Sequence, residues 1–149
     1  MAIARGAGTE IIRSIHLAAV DDTARPMIVG IQHHIYTVLS IICFAQALNA
    51  DTDYITAFIT GYDSVGGTTA RSHFLFQQDM SVAQTYVWND KFSFQGFEPT
   101  DYAGPTDDEA KHNAIADQGS SVAQVLYIDA EHSSDNFDVF CTYIDQNNA

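Results

Sequence analysis

From Glu10 onward the apolar residues come in short runs divided by Asp, Asn, Gly and Pro, and within most runs they alternate with polar ones. A period of two puts successive side chains on opposite faces of an extended chain, so the pattern predicts strands. The expected strands cover residues 11–17, 27–31, 35–44, 54–60, 73–76, 85–88, 92–94, 122–128 and 139–144. In the third, Tyr36, Val38, Ser40, Ile42 and Phe44 share one face, and Ile35, Thr37, Leu39, Ile41 and Cys43 share the other. Both faces are largely apolar, which predicts a central strand. Around it half-buried strands alternate: Phe74 and Phe76 oppose His73 and Leu75, and Val125, Tyr127 and Asp129 oppose Leu126, Ile128 and Ala130. Polar connections at 49–53, 61–72 and 132–136 suit the rim of a sandwich.

One helix is expected, over 106–117. Thr106 and Glu109 form a capping box, Asp107 and Asp108 suit the first turn, and Gly119 stops it. The fold class is therefore all-β: an antiparallel β-sandwich, jelly-roll-like, with one short inserted helix. The Gly/Ala-rich opening lacks periodicity and reads as an extended N-terminal arm over 1–10, leaving 11–149 as a single β-sandwich domain. Its expected core gathers around Tyr36, Val38, Phe58, Phe76, Trp88 and Phe140.

Charge changes the picture. Nineteen Asp and Glu, fifteen of them Asp, face six Lys and Arg, for a formal net charge of −13. Neutralising phosphates needs clustered basic residues, and Arg5, Arg13, Arg25, Arg71, Lys91 and Lys111 are scattered, so nucleic acid is excluded as a partner. Residues 1–25 hold three Arg against three acids, whereas 26–149 hold three basic residues against sixteen acids. That asymmetry marks the first segment as a candidate docking arm for a partner. The most apolar stretch, 27–48, is broken by Gln32-His33-His34 and is too short to span a bilayer, so no membrane association is expected. Residues 1–8 lack the apolar segment of a signal peptide, which points to a product made in the cytosol, with Cys43 and Cys141 as buried free thiols.

Candidate chemistry is sparse. His33 and His34 would point apart on a strand and could act together only in a turn; no H-x-H or C-x-x-C accompanies them. Asp51, Asp53, Asp135 and Asp138 could offer oxygens to Ca²⁺, but Asp in turns ordinarily caps backbone. Asp90 and Lys91, after Trp88, suit a rim salt bridge better than a catalytic carboxylate. No nucleophile motif or phosphate loop is present, so the expectation is a protein that is not an enzyme and takes no cofactor or metal.

Several segments resemble a family. Met27-Ile28-Val29-Gly30-Ile31, the run 35–44 leading to Asn49, the run 54–60, and 80–92, which reads Met-Ser-Val-Ala-Gln-Thr-Tyr-Val-Trp-Asn-Asp-Lys-Phe, resemble the small β-sandwich structural proteins of tailed bacteriophages, marine ones in particular. The likeness covers roughly 27–145. Those chains carry an apolar-x-x-Gly-x-Thr segment, and Ala83 stands here in place of the Gly. The resemblance implies a virion component assembled in the host cytoplasm. Its most specific form is a capsid decoration (cement) protein, a homo-oligomer with a trimer favoured, bound to the major capsid protein or other virion proteins. In that reading Ala2, Ile3, Arg5, Thr9 and Arg13 carry partner contacts. The alternatives are a head-tail or tail-attached protein of the same fold, or a lectin-like carbohydrate-binding module using Trp88, Tyr62 and Tyr102.

Overall fold

The computed structural model describes residues 8–61, 71–99, 109–110, 113 and 121–148. Among the described residues eleven strands form in chain order: β1 (Thr9–Val20), β2 (Arg25–Val29), β3 (His34–Ala47), β4 (Tyr54–Gly61), β5 (Arg71–Asp79), β6 (Thr85–Trp88), β7 (Phe92–Gln95), β8 (Phe97–Pro99), β9 (Ser121–Ala123), β10 (Val125–Ala130) and β11 (Asn136–Asn147). All nine expected strands are present, most of them longer than expected. Among the described residues only Glu109, Ala110 and Asn113 have helical backbone. The helix expected over 106–117 lies outside the described residues except for these three, which are exposed.

The strands build two antiparallel sheets. The first has the order β1-β11-β3-β6, with β7 also on β3, and the second β2-β10-β4-β5; β8 and β9 make a short ladder of their own. β6 and β7 pair with successive halves of β3 and act as one interrupted strand, as do β9 and β10 across Gln124. The chain then behaves as one long hairpin, its first strand paired with its last, its second with its penultimate, and so inward to the β4–β5 pair. Rolling that hairpin into two sheets gives the strand order of a jelly roll.

The core lies between the sheets. β11 sends its odd residues from 137 to 145 inward: Phe137, Val139, Cys141, Tyr143 and Asp145 are all buried. β10 contributes Leu126, Ile128 and Ala130, and β4 contributes Ile55, Ala57 and Ile59. β3 is central as expected, but its two apolar faces have a different cause. Leu39 is an extra residue, because Ser40 pairs with Thr142 and Val38 with Tyr143. This bulge reverses the alternation, so Tyr36 and Val38 point inward on one side of it and Ile41, Cys43 and Ala45 on the other. A second bulge, at Leu75, separates Phe74 from Phe76. Phe76 packs on Tyr86 and Trp88, while Phe74 is exposed, so the expectation that they share a side fails.

Ala83 explains the expected glycine. Gln84 N–H donates to Ser81 C=O at 3.0 Å, closing a four-residue turn whose third residue, Ala83, has φ +67°. Type II turns reserve that place for Gly, because a Cβ there crowds the backbone. Ala83→Gly is expected to stabilise the protein by about 1 kcal/mol, raising Tm by about 3 °C. Thermal melts of the two proteins read this directly, and a lowered Tm would contradict the turn assignment.

Candidate functional site

The outer face of the first sheet carries the feature that burial does not explain. Cross-strand register sets His16 opposite Phe140, Phe140 opposite Ile42 and Ile42 opposite Val87, a row running over all four strands. Phe140, Ile42 and Val87 are 48%, 40% and 51% exposed, and Phe44 stands exposed beside them. The His16 ring stacks on Phe140 at 5.1 Å between centroids. On one side of it the next two rows are Ser14–Thr142–Ser40 and Ile12–Ile144–Thr37–Ser93. None of these eleven residues is Asp, Glu, Lys or Arg, on a chain of net charge −13; the row on the other side, Asp138–Phe44–Thr85, brings in one acid, Asp138. Contiguous exposed apolar area of this kind on a soluble protein marks an interaction surface.

The second sheet carries a counterpart. Pro26, Tyr127, Phe58 and Phe74 align across its four strands, with the Phe58 ring 5.3 Å from Tyr127 and 5.8 Å from Phe74. Phe58 and Phe140 were therefore expected in the core but stand on outer faces. The cause is parity: Ile55, Ala57 and Ile59 take the inward places on β4, and the odd residues take them on β11.

Asp145, on the inward side of β11, is a buried carboxylate with basic partners. Asp145 accepts from Arg13 Nε at 3.2 Å and pairs with His34 Nδ1 at 2.6 Å, and it is almost wholly buried. Tyr36 and Tyr143 lie beside it. Burial first, and then the negative charge of Asp145, push the Tyr36 phenol up to about 12. Tyr36 Oη stays protonated and accepts the Ile31 N–H at 3.1 Å. Of the candidate partner-binding residues, Ala2, Ile3 and Arg5 lie outside the described residues. Thr9 opens β1 opposite Asn147, and Arg13 is turned to Asp145 of its own chain.

The remaining candidates resolve into structural roles. His33 occupies a turn at φ +63° while His34 begins β3 and binds Asp145, so the pair is split. Asp135 accepts the N–H groups of Asn49 and His132, each at 2.9 Å, and Asp53 accepts that of Ala50 at 2.9 Å. Asp135 also meets the Asp53 carboxyl; burial, followed by that neighbour, raises its pKa above the ordinary carboxylate value. Among the described residues no group of three His, Cys, Asp or Glu is placed to hold a metal. Cys43 and Cys141 are buried and unpaired to one another, and burial pushes both thiols up to about 12. Trp88, offered to a sugar in the lectin reading, is only 8% exposed and packs on Phe76 and Phe92; Tyr62 and Tyr102 lie outside the described residues.

No protein-family model matches the chain, and no curated protein matches it. Solved structures similar to it include a chain from "Bacillus endospore appendages form a novel family of disulfide-linked pili", at 12% identity and TM-score 0.44, covering 100% of this chain and 97% of that one. A chain of infectious bursal disease virus, Gx strain, matches at 8% identity and TM-score 0.48, over 99% of this chain and 35% of that one. A chain of broad bean stain virus matches at 9% identity and TM-score 0.42, over 97% of this chain and 89% of that one. The present chain thus spans about a third of the bursal disease virus chain.

The outer apolar row was missed at the level of sequence because an exposed Phe140 reads like a core Phe. The available signal was Asp145 with Phe137: both are on odd positions of one run, and once one parity of β11 is inward, Phe140 must be outward.

Proposed function

We propose that this chain is a non-enzymatic structural protein of a virion, specifically a capsid decoration (cement) protein, and that the apolar row of the first sheet lies against the shell. The observation that carries the reading is the uncharged row His16–Phe140–Ile42–Val87 with Phe44 beside it. Jelly rolls also build lectins and cupins, so the fold alone selects no function. An apolar strip across the whole sheet suits contact with another protein surface. The acidic remainder of the molecule would face solvent and keep unattached subunits soluble. Residues 2–7, with Ile3 and Arg5, are proposed to add arm contacts with the major capsid protein.

The test is the double substitution Phe140→Lys with Val87→Lys. Both side chains are half-exposed, so Tm is expected to change by less than about 3 °C. The number of copies retained on purified particles is expected to fall at least about tenfold, the equivalent of about 1.4 kcal/mol per site. Undiminished occupancy would remove the face from the reading. Quantitative gels on wild-type particles decide location: hundreds of copies fit decoration of the shell, whereas a single ring's worth assigns the chain to the neck or tail.

A further inference from the structure

β1 is an edge strand of unusual openness. It pairs with β11 on one side, and no described strand pairs with its other side. Its register with β11 is unbroken from Thr9 to Leu17, and Ile12 is 71% exposed. Soluble proteins blunt such edges with proline, bulges, charge or brevity. The molecule does this at its other edges. β2 has five residues, includes Pro26, and is bulged at Met27, where Leu126 pairs with Ile28 and Tyr127 with Pro26. β5 is bulged at Leu75, and β6 and β7 have four residues each, divided by Asn89, Asp90 and Lys91. Before its bulge between Leu17 and Val20, β1 has no proline, no bulge and no brevity, and its two charges are Glu10 at its start and Arg13, which is held by Asp145 of the same chain.

We propose that the open edge of β1 pairs with the β1 edge of a second copy of this chain, antiparallel about a two-fold axis, joining two four-strand orders into one continuous sheet. Two arguments select this occupant. A hydrogen-bonded ladder needs a regular edge on each side, and among the described strands β1 alone offers one, so the mate of β1 is another β1. The second is electrostatic. Copies of a chain with net charge −13 repel one another, but β1 contains one acid, Glu10, and one base, Arg13, and is neutral overall.

The register follows from which side chains would meet. In an antiparallel two-fold pair, facing residues lie on the same side of the sheet, so the centre falls on a residue. Centring on Arg13 would set two guanidinium groups face to face. Centring on Ser14 sets Ile11 opposite the partner's Leu17, Arg13 opposite the partner's Ile15, and Ile12 opposite the partner's His16. That arrangement covers Ile12 and leaves the Phe140 row open along both halves of the joined sheet. The pairing does not depend on what larger structure the protein enters.

The experiment uses the full chain in solution. Sedimentation at rising concentration is expected to show twice the chain mass. Ser14 is exposed and touches only Thr142 at 3.2 Å in hydrogen-bond terms, so it can be replaced without harm to the core. Ser14→Cys is expected to yield a disulfide-linked dimer on mild oxidation, with little background because Cys43 and Cys141 are buried. Ser14→Asp places like charges opposite one another and is expected to raise the dimer Kd at least tenfold while leaving unchanged the Tm measured at concentrations where the wild type is monomeric. Amide exchange in wild type is expected to slow with concentration across residues 10–17. A monomer at all concentrations would overturn the proposal. So would a dimer that Ser14→Cys fails to link and Ser14→Asp fails to weaken, since such a dimer uses another surface. Loss of particle binding by the Phe140 and Val87 substitutions with the dimer intact, or the reverse, separates this proposal from the virion reading.

Discussion

Gly96→Ala is expected to leave no cooperatively folded protein at 25 °C. Gly96 lies between β7 and β8, where the chain leaves the first sheet, and three segments are stitched together there. Gly96 N–H donates to His34 C=O, Gln124 N–H to Gly96 C=O, and Gly30 N–H to Gln124 C=O, each at 2.8 Å. The Gln124 side chain adds a bond from Nε2 to Gln95 C=O at 2.9 Å. A methyl group on Gly96 would overlap the carbonyl oxygen of Ile31 and stand 2.8 Å from its nitrogen. Those atoms are backbone, so no rotamer change relieves the clash; strands must separate and buried N–H and C=O groups lose their partners. Overpacking alone costs about 1–3 kcal/mol, and each orphaned buried group about as much again, against a total stability of about 5–15 kcal/mol. Gly30→Ala meets Gly96 from the other side and is expected to act alike. Circular dichroism and a thermal melt are the measurement. A Gly96→Ala protein melting within about 5 °C of wild type would show that the junction opens more easily than its geometry implies.

That junction also shows where sequence reading stops. Strand positions were legible because the alternation is local: a run such as Val125 to Ala130 declares both its conformation and its inward side. The close approach of Gly30 to Gly96 depends on segments far apart in the chain, and no local pattern announces it. Bulges are the second limit. One extra residue at Leu39 or Leu75 exchanges the faces of all that follows, so a strand with two apolar faces was read as buried on both when it changes sides midway. β8, three residues long and interrupted from β7 only by Gly96, has too little pattern to be seen. The third limit concerns the surface. Composition cannot separate Phe140, which meets solvent, from Phe137, which is fully buried; the distinction is one of parity on β11. Ala83 was legible in the opposite way, since a position expected to hold Gly proves to have positive φ.

The second large effect is expected at Asp145, where removal of the carboxylate is predicted to cost about 3 kcal/mol, or about 8 °C in Tm. Asp145 joins three strands through its side chain, taking Arg13 from β1 and His34 from β3 while sitting on β11. The two bonds are unequal. Arg13 is half-exposed, with 49% of its side chain accessible, so solvent screens its pairing and Arg13→Ala is expected to cost no more than about 1 kcal/mol. His34 is 14% accessible and only 2.6 Å from the carboxylate, so Asp145→Ala strands its ring nitrogen and opens space beside Tyr36 and Tyr143. Asp145→Asn keeps one acceptor for His34 and is expected to fall between the two. Denaturant unfolding of the three variants tests the order, and the Arg13/Asp145 double variant measures the coupling. A cost for Arg13→Ala equal to that for Asp145→Ala would mean that the exposed guanidinium, and not the buried imidazole, holds β1 to the sheet. Because β1 also supplies the open edge, that result would tie the strength of self-pairing to Arg13; the geometry instead predicts that β1 remains in place, and remains available to a second copy, when Arg13 is lost.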